Sequence, residues 1–162
     1  LKTPAGANFE YDICLAVGGE WEYRTYAHWC DVSERLEKMG LSVVLVGSEN
    51  GRRMSKSIME RCTSFESTVG CLNLSSVATL ISKCRLFVGA DGGLWHIAAA
   101  IPVPSVVLFA DCQIFNDDGS RVTRETKDMN CSTLYDSYSV SNICASRVVS
   151  KIESFFLKGA IE

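Results

Sequence analysis

Histidine is scarce in this chain: 162 residues hold only His28 and His96, 68 positions apart, and the eight cysteines include no Cys-x-x-Cys pair. Structural zinc sites are built from such local ligand pairs, so the sequence offers no zinc module. Cys112, Cys131 and Cys144, in a less regular region, are the one group that could cluster around a metal. Proline is also rare, with three residues in all. Pro102 and Pro104 interrupt the longest apolar runs, around Ile97–Val103 and Ser105–Ala110, which are too short to span a bilayer. Positive charge is not in excess, since 16 Lys and Arg face 19 Asp and Glu for a net charge of −3. Broad nucleic-acid binding, which needs a basic surface, is therefore not expected. There is no internal repeat, low-complexity stretch or signal-peptide pattern, and a first residue of Leu is compatible with a piece of something longer.

What is present is a well-mixed globular composition, 47% apolar and 22% charged, enough for one well-cored domain and too short for two large ones. Cys14, Cys30, Cys62, Cys71 and Cys84 fall on predicted strands or apolar helix faces, where free cysteine behaves as a small hydrophobe. Reduced thiols and a cytoplasmic location are expected.

Tyr11–Val17, Ser42–Gly47, Arg85–Gly89 and Ser105–Phe109 are continuous apolar runs of strand length, without the alternation of a sheet that has one wet face. They predict central parallel strands. Trp29, Val32, Leu36 and Met39 recur at helical spacing and stop at Gly40. Met54, Ile58 and Cys62 mark a second helix, and Val77, Leu80, Ile81 and Cys84 a third, with a weaker strand candidate near Ser67–Leu72. The alternation predicts an α/β fold with a Rossmann-like, doubly wound parallel sheet. Its core spans about residues 10–110, followed by a polar loop region over 111–140 and a closing helix near 141–157 that carries Val148, Val149, Ile152, Phe155 and Phe156.

The most informative segment runs from Phe87 to Ala99: an apolar run ends in Ala90-Asp91-Gly92-Gly93, and a small-residue helical run carrying His96 begins at once. A strand, a glycine turn and a helix N-terminus form a phosphate-sized anion site, because first-turn amides point outward and the helix dipole favours negative charge. The same residues would also make an ordinary strand-to-helix turn, with Asp91 as N-cap and His96 on the surface or packed. In doubly wound sheets, ligands bind beyond the carboxyl ends of the strands. Three loops should therefore share one rim: Gly18–Arg24, Gly47–Asn50 and Asp91–His96. Gly18 and Gly19 would expose amides, Arg24 supply a permanent cation, and Glu49 hold a ribose hydroxyl pair. Singly, each is equally a turn, a solvated arginine or a helix-entry acid, and only their convergence favours a site.

The order Gly18-Gly19-Glu20-Trp21-Glu22-Tyr23-Arg24-Thr25-Tyr26-Ala27-His28-Trp29, then Val43–Glu49, Asn73–Ile81, Val88–Ala100 and Ser105–Phe109, resembles the C-terminal half of the lipopolysaccharide heptosyltransferases, bacterial glycosyltransferases of the two-domain GT-B fold. The most specific match is a strand followed by D-[S/T]-G-x-x-H-x-A-A-A, met here at Asp91, Gly93, His96, Ala98, Ala99 and Ala100. The resemblance implies a donor site for a nucleotide-diphosphate sugar. Asp91, Gly93 and His96 would lie at the diphosphate and sugar, Arg24 near the phosphates where the family usually has Lys, and Glu49 on the ribose. Leu72 and Asn73 would line the base pocket. Arg24 and the helix dipole would stabilise charge on the departing diphosphate, removing the need for a bound metal. The resemblance further implies inverting chemistry, an N-terminal acceptor domain that holds the catalytic base, and a cytoplasmic, at most peripheral, place at the inner membrane.

Departures from the pattern bear on activity. Gly92 replaces a Ser/Thr hydroxyl, Leu94 stands where Pro is frequent, and Ala110-Asp111 follow the last strand where a Gly and a small or Pro residue are usual. A non-enzymatic nucleotide or nucleotide-sugar binding module, or an inactive remnant of such an enzyme, is compatible with the same residues.

Overall fold

The computed structural model of the chain describes residues 8–101, 103–110 and 130–158. Six parallel strands form one sheet: β1 (Tyr11–Ala16), β2 (Val43–Val46), β3 (Glu66–Ser67), β4 (Cys84–Ala90), β5 (Ser105–Ala110) and β6 (Cys131–Asp136), in the spatial order β3-β2-β1-β4-β5-β6. The connecting helices are α1 (Trp29–Lys38), α2 (Arg52–Met59), α3 (Leu74–Ser82), α4 (Gly93–Ala100) and α5 (Ala145–Lys158). This is the Rossmann-like doubly wound arrangement expected from the sequence.

The two faces of the sheet read directly from alternation along β1. Ile13, Leu15 and Val17 share a buried cluster with Trp29, Val32 and Leu36 of α1, Ile58 of α2, and Val148, Val149, Ile152 and Phe155 of α5. Cys14 and Ala16 point the other way, into a cluster with Val77 and Ile81 of α3 and Trp95 and Ala98 of α4. Because β2 and β4 are buried on both faces as well, they carry continuous apolar runs instead of alternating ones. Burial of a Leu- or Ile-sized side chain contributes about 1.5–3 kcal/mol, so the central strands carry much of the stability.

This topology positions the site. The chain leaves β1 toward the face of α1 and leaves β4 toward the opposite face of α4, so the two loops diverge at the carboxyl ends of neighbouring strands. Divergence of this kind opens a crevice beyond the carboxyl ends of the strands.

Two sequence expectations are corrected. The polar stretch predicted as loop over 111–140 contains β6, registered on β5 from Ser105↔Cys131 to Ala110↔Asp136, and a short helical turn at Val140–Asn142. Only Leu134 of β6 is buried, so the strand has no apolar run to betray it. Residues 111–129, with Asp111 and Cys112, lie outside the described residues. Cys71, expected on a strand or helix face, is exposed in the turn after β3, which is only two residues long. Cys14, Cys62 and Cys84 are buried, and the seven described cysteines are free thiols. Burial of Cys14 against Cys84 pushes its thiol well up, through the contact with Cys84 and desolvation together.

Candidate functional site

A cleft of about 630 Å³ lies at the carboxyl ends of β1, β2 and β4, lined by residues that include Gly18, Gly19, Glu20, Trp21 and Arg24 after β1, and Gly47, Ser48 and Asn50 after β2. Its other walls are Asp91, Gly92, Gly93, Leu94 and Ile97 after β4, and Leu72, Leu74 and Val77 at the start of α3. The three loops expected on one rim thus meet around one volume.

The first loop is held close by glycine. Gly18 has φ +94°, and a Cβ there would stand 2.8 Å from Asn50 Oδ1 and from the Gly51 backbone. Only glycine combines that left-handed backbone with so close an approach of the second loop. Asn50 seals the contact, accepting from the Ser48 hydroxyl (2.7 Å) and donating to the Gly19 carbonyl (3.0 Å). A short helical turn, Glu22–Arg24, then presents Arg24. Its Nη2 stands 3.7 Å from Asp91 Oδ2, joining the first and third loops by an ion pair whose carboxylate side chain is 3% exposed and whose guanidinium side chain is 21% exposed. The Tyr23 ring lies 5.4 Å from the guanidinium carbon.

Across the cleft the geometry is bare. Gly92 caps α4 without a side-chain hydrogen bond, and Gly92, Gly93 and Leu94 line the cleft, which puts a helix N-terminus, the end that favours an anion, on its wall. Gly92 is extended (φ 170°), a backbone that any residue adopts. A Cβ on Gly92 or on Gly93 would meet nothing within 4 Å. The glycines keep this wall low; they do not relieve strain.

The charges that line the cleft among the described residues are Glu20, Arg24 and Asp91, one cation against two carboxylates. The dipole of α4 adds roughly half a positive charge at its N-terminus. Such a cleft does not attract anions by net field; it would hold one by directed donors from Arg24 and the backbone.

Of the residues singled out from the sequence, Gly18, Gly19, Arg24, Leu72, Asp91, Gly92 and Gly93 line the cleft. Three point elsewhere. Glu49 is engaged by Arg52, whose Nη2 donates to Oε1 at 2.7 Å, and this bond holds the exposed carboxyl below its ordinary range. Asn73 caps α3, its Oδ1 accepting from the Ser76 amide at 2.9 Å. His96 is exposed on α4, its ring 4.9 Å from that of Trp95 and off the cleft wall. The structure adds Trp21, 58% exposed, and Leu74, 73% exposed, as apolar lips. An apolar residue opening a helix and left outside its buried stripe was the available signal for Leu74. Among the described residues no group of three or more His, Cys, Asp or Glu is placed to hold a metal ion. No helix among them is long and apolar enough to cross a membrane.

The profile of glycosyltransferase family 9 (heptosyltransferase) matches residues 13–116. Lipopolysaccharide heptosyltransferase 2 of Salmonella typhimurium is 32% identical over 88 residues, 51% of this chain and 25% of that protein. Lipooligosaccharide heptosyltransferase 2 of Haemophilus influenzae is 32% identical over 87 residues, with the same shares covered. In structure, the ADP-heptose LPS heptosyltransferase II of E. coli superposes with a TM-score of 0.72 at 22% identity, covering 91% of this chain and 47% of that one. E. coli heptosyltransferase WaaC with ADP-2-deoxy-2-fluoro heptose gives 0.71 at 18%, covering 94% and 45%. The chain therefore spans about half the length of these two solved structures, and its sequence alignments cover a quarter of the two curated relatives.

Proposed function

This chain belongs to glycosyltransferase family 9 (heptosyltransferase), and we propose on that footing that its cleft is the donor site of a glycosyltransferase, binding the diphosphate of a nucleotide-diphosphate sugar. The observation that carries the reading is the meeting of Arg24 with the uncapped N-terminus of α4 across one open cleft. Two structures of one enzyme of the same fold, E. coli heptosyltransferase WaaC, hold ADP-2-deoxy-2-fluoro heptose and ADP, which makes an ADP-sugar the first donor to test.

Transfer breaks the bond between the anomeric carbon and the diphosphate oxygen, and the diphosphate leaves with the electron pair. Negative charge grows on that oxygen in the transition state. Donors fixed beforehand at its position stabilise it most, because they need no reorganisation. The Arg24 guanidinium and the first-turn amides of α4 are such donors, and Asp91, buried beside Arg24, fixes where the guanidinium stands. Leu72, Leu74 and Val77 offer an apolar wall for the base. The acceptor's hydroxyl oxygen forms the new bond to the anomeric carbon, and both the acceptor and the base that takes the hydroxyl proton are assigned to an N-terminal acceptor domain of the kind the family resemblance implies. Reaction in the cytoplasm, at most peripheral to the inner membrane, follows from the same proposal.

A thermal-shift screen against ADP-, UDP- and GDP-sugars tests the reading. A ligand that binds only the native state stabilises it by about 2.7 kcal/mol at a hundredfold excess over Kd. A rise in Tm with at least one nucleotide-diphosphate sugar is expected. No shift with any of them, nor with free nucleoside diphosphates, favours a remnant whose cleft has lost its ligand.

A further inference from the structure

The loop that carries Arg24 is braced by a part of the chain that never reaches the cleft. In the turn Val140–Asn142, the Ser141 hydroxyl donates to the Thr25 carbonyl at 2.9 Å and accepts from the Ala27 amide at 3.0 Å. The Ser141 carbonyl accepts from His28 Nε2 at 2.9 Å. Beside them the buried Tyr26 hydroxyl donates to the Ile143 carbonyl at 2.8 Å. The turn is itself fixed by Asp136 at the end of β6, whose Oδ1 accepts from the Tyr138 and Ser139 amides (2.9 and 3.0 Å) and from Asn142 Nδ2 (3.0 Å).

The bonds inside the first loop do a different job. The Arg24 amide donates to the Trp21 carbonyl, the Thr25 amide to the Glu22 carbonyl, and the Thr25 hydroxyl to the Trp21 carbonyl. These set the shape of the turn. The links to 141–143, the Asn50 bond to Gly19 and the Arg24–Asp91 ion pair tie that turn to the rest of the fold.

We infer that Ser141 is a positioning residue for the donor site: its hydroxyl, gripping the backbone on both sides of Tyr26, fixes the direction from which Arg24 meets a diphosphate. The inference rests on the reading of Arg24 as a phosphate-binding residue. A guanidinium fork rewards a narrow geometry, and a displacement of the order of 1 Å is costly to it. An unbraced loop would also have to be ordered when ligand binds, which weakens affinity without removing a contact.

A double-mutant cycle, read by calorimetry with ADP and with inorganic pyrophosphate, tests this. Ser141→Ala is expected to weaken binding of both probes about three- to tenfold, and to weaken it no further when placed in Arg24→Ala. Ser141→Thr, which keeps the hydroxyl, should restore most of the loss. Tyr26→Phe, which removes only the bond to Ile143, supplies the same cycle if Ser141→Ala does not fold. The inference is overturned if the folded variants bind both probes as the wild type does, or if they lose the same factor with and without Arg24. If Arg24→Ala itself leaves pyrophosphate and ADP binding unchanged, the donor-site reading fails and takes the inference with it, an outcome distinct from a cycle in which only the Ser141 arm is silent.

Discussion

The two ends of the sheet are built to different rules. At the amino ends of the strands several described charged groups are bonded at short range. Asp12 accepts from the Ser42 amide and hydroxyl (both 3.0 Å) and from Arg85 Nη1 (2.9 Å). Lys83 bonds Glu10 at 2.7 Å. The Tyr11 hydroxyl donates to Glu66 at 2.6 Å, and that carboxylate pushes the phenol up to about 12. Arg85 also lies over the Phe156 ring, 4.8 Å from its centroid. At the carboxyl ends, among the described residues, the Arg24–Asp91 ion pair at 3.7 Å, Gly92 and Gly93 with open space beside them and the N-terminus of α4 border a cleft, with the Glu49–Arg52 pair outside it. The amino end ties neighbouring strands together, whereas the carboxyl end, on the proposal made above, serves a ligand. Substitutions at the two ends should therefore separate: those at the carboxyl end should change binding, and those at the amino end stability alone.

The largest effect is expected from Gly93→Val. Beyond its chain neighbours and its own helix backbone, a Cβ there meets nothing within 4 Å, so folding should change by no more than about 0.5 kcal/mol, as for other surface substitutions. The isopropyl group would stand where a diphosphate must approach the helix amides, and calorimetry should find ADP binding abolished. Arg24→Ala comes next. Losing a charge-assisted contact costs about 1.5–3 kcal/mol, so affinity should drop roughly ten- to a hundredfold. Because Asp91 is buried beside Arg24, this variant should also lower Tm, unlike Gly93→Val.

At the other end, Asp12→Ala should destabilise by about 1–2 kcal/mol in urea unfolding, because it removes three hydrogen bonds from a partly buried carboxylate. ADP affinity should stay unchanged. The same residue carries a pH signature. Burial pushes the Asp12 carboxyl up, but hydrogen bonds from Ser42 and Arg85 outweigh this and hold it below its ordinary value. Its contribution is then complete above the unfolded value of about 3.9 and drains away as pH falls through the lower folded value. Acid unfolding of the wild type should thus be steeper below pH 4 than that of Asp12→Ala. The smallest effect belongs to Gly92→Ser. Its extended backbone and open surroundings accept a side chain, and the added hydroxyl should leave binding unchanged or improve it by about two- to tenfold, the worth of one hydrogen bond.

Legibility in the sequence follows burial. β1, β2, β4 and β5 could be read because sheet and helices enclose them on both sides, leaving runs such as Val43–Val46 wholly apolar. β3 is two exposed residues long, and β6 mixes Cys131, Ser132, Thr133 and Tyr135 with a lone buried Leu134, so neither has a pattern that outweighs its neighbours. Within the cleft, residues whose contribution is backbone or loop position, such as Gly18, Asp91 and Gly93, could be placed from topology alone. Side chains on or beside helices could not, because their direction depends on local competition. Glu49 meets Arg52 three residues on, Asn73 folds back to cap α3, and His96 falls on the outer side of α4. The brace from Ser141 to the Arg24 loop spans more than a hundred residues and leaves no local trace.

The central claim is that the carboxyl-end cleft binds a diphosphate through Arg24 and the α4 N-terminus. Calorimetric titration of the wild type, Arg24→Ala and Gly93→Val with ADP, at low salt and with folding checked by circular dichroism, tests it most directly. The account predicts saturable binding to the wild type, weakened roughly ten- to a hundredfold by Arg24→Ala and absent in Gly93→Val. Equal affinity in all three folded proteins, or no binding to the folded wild type, would contradict it.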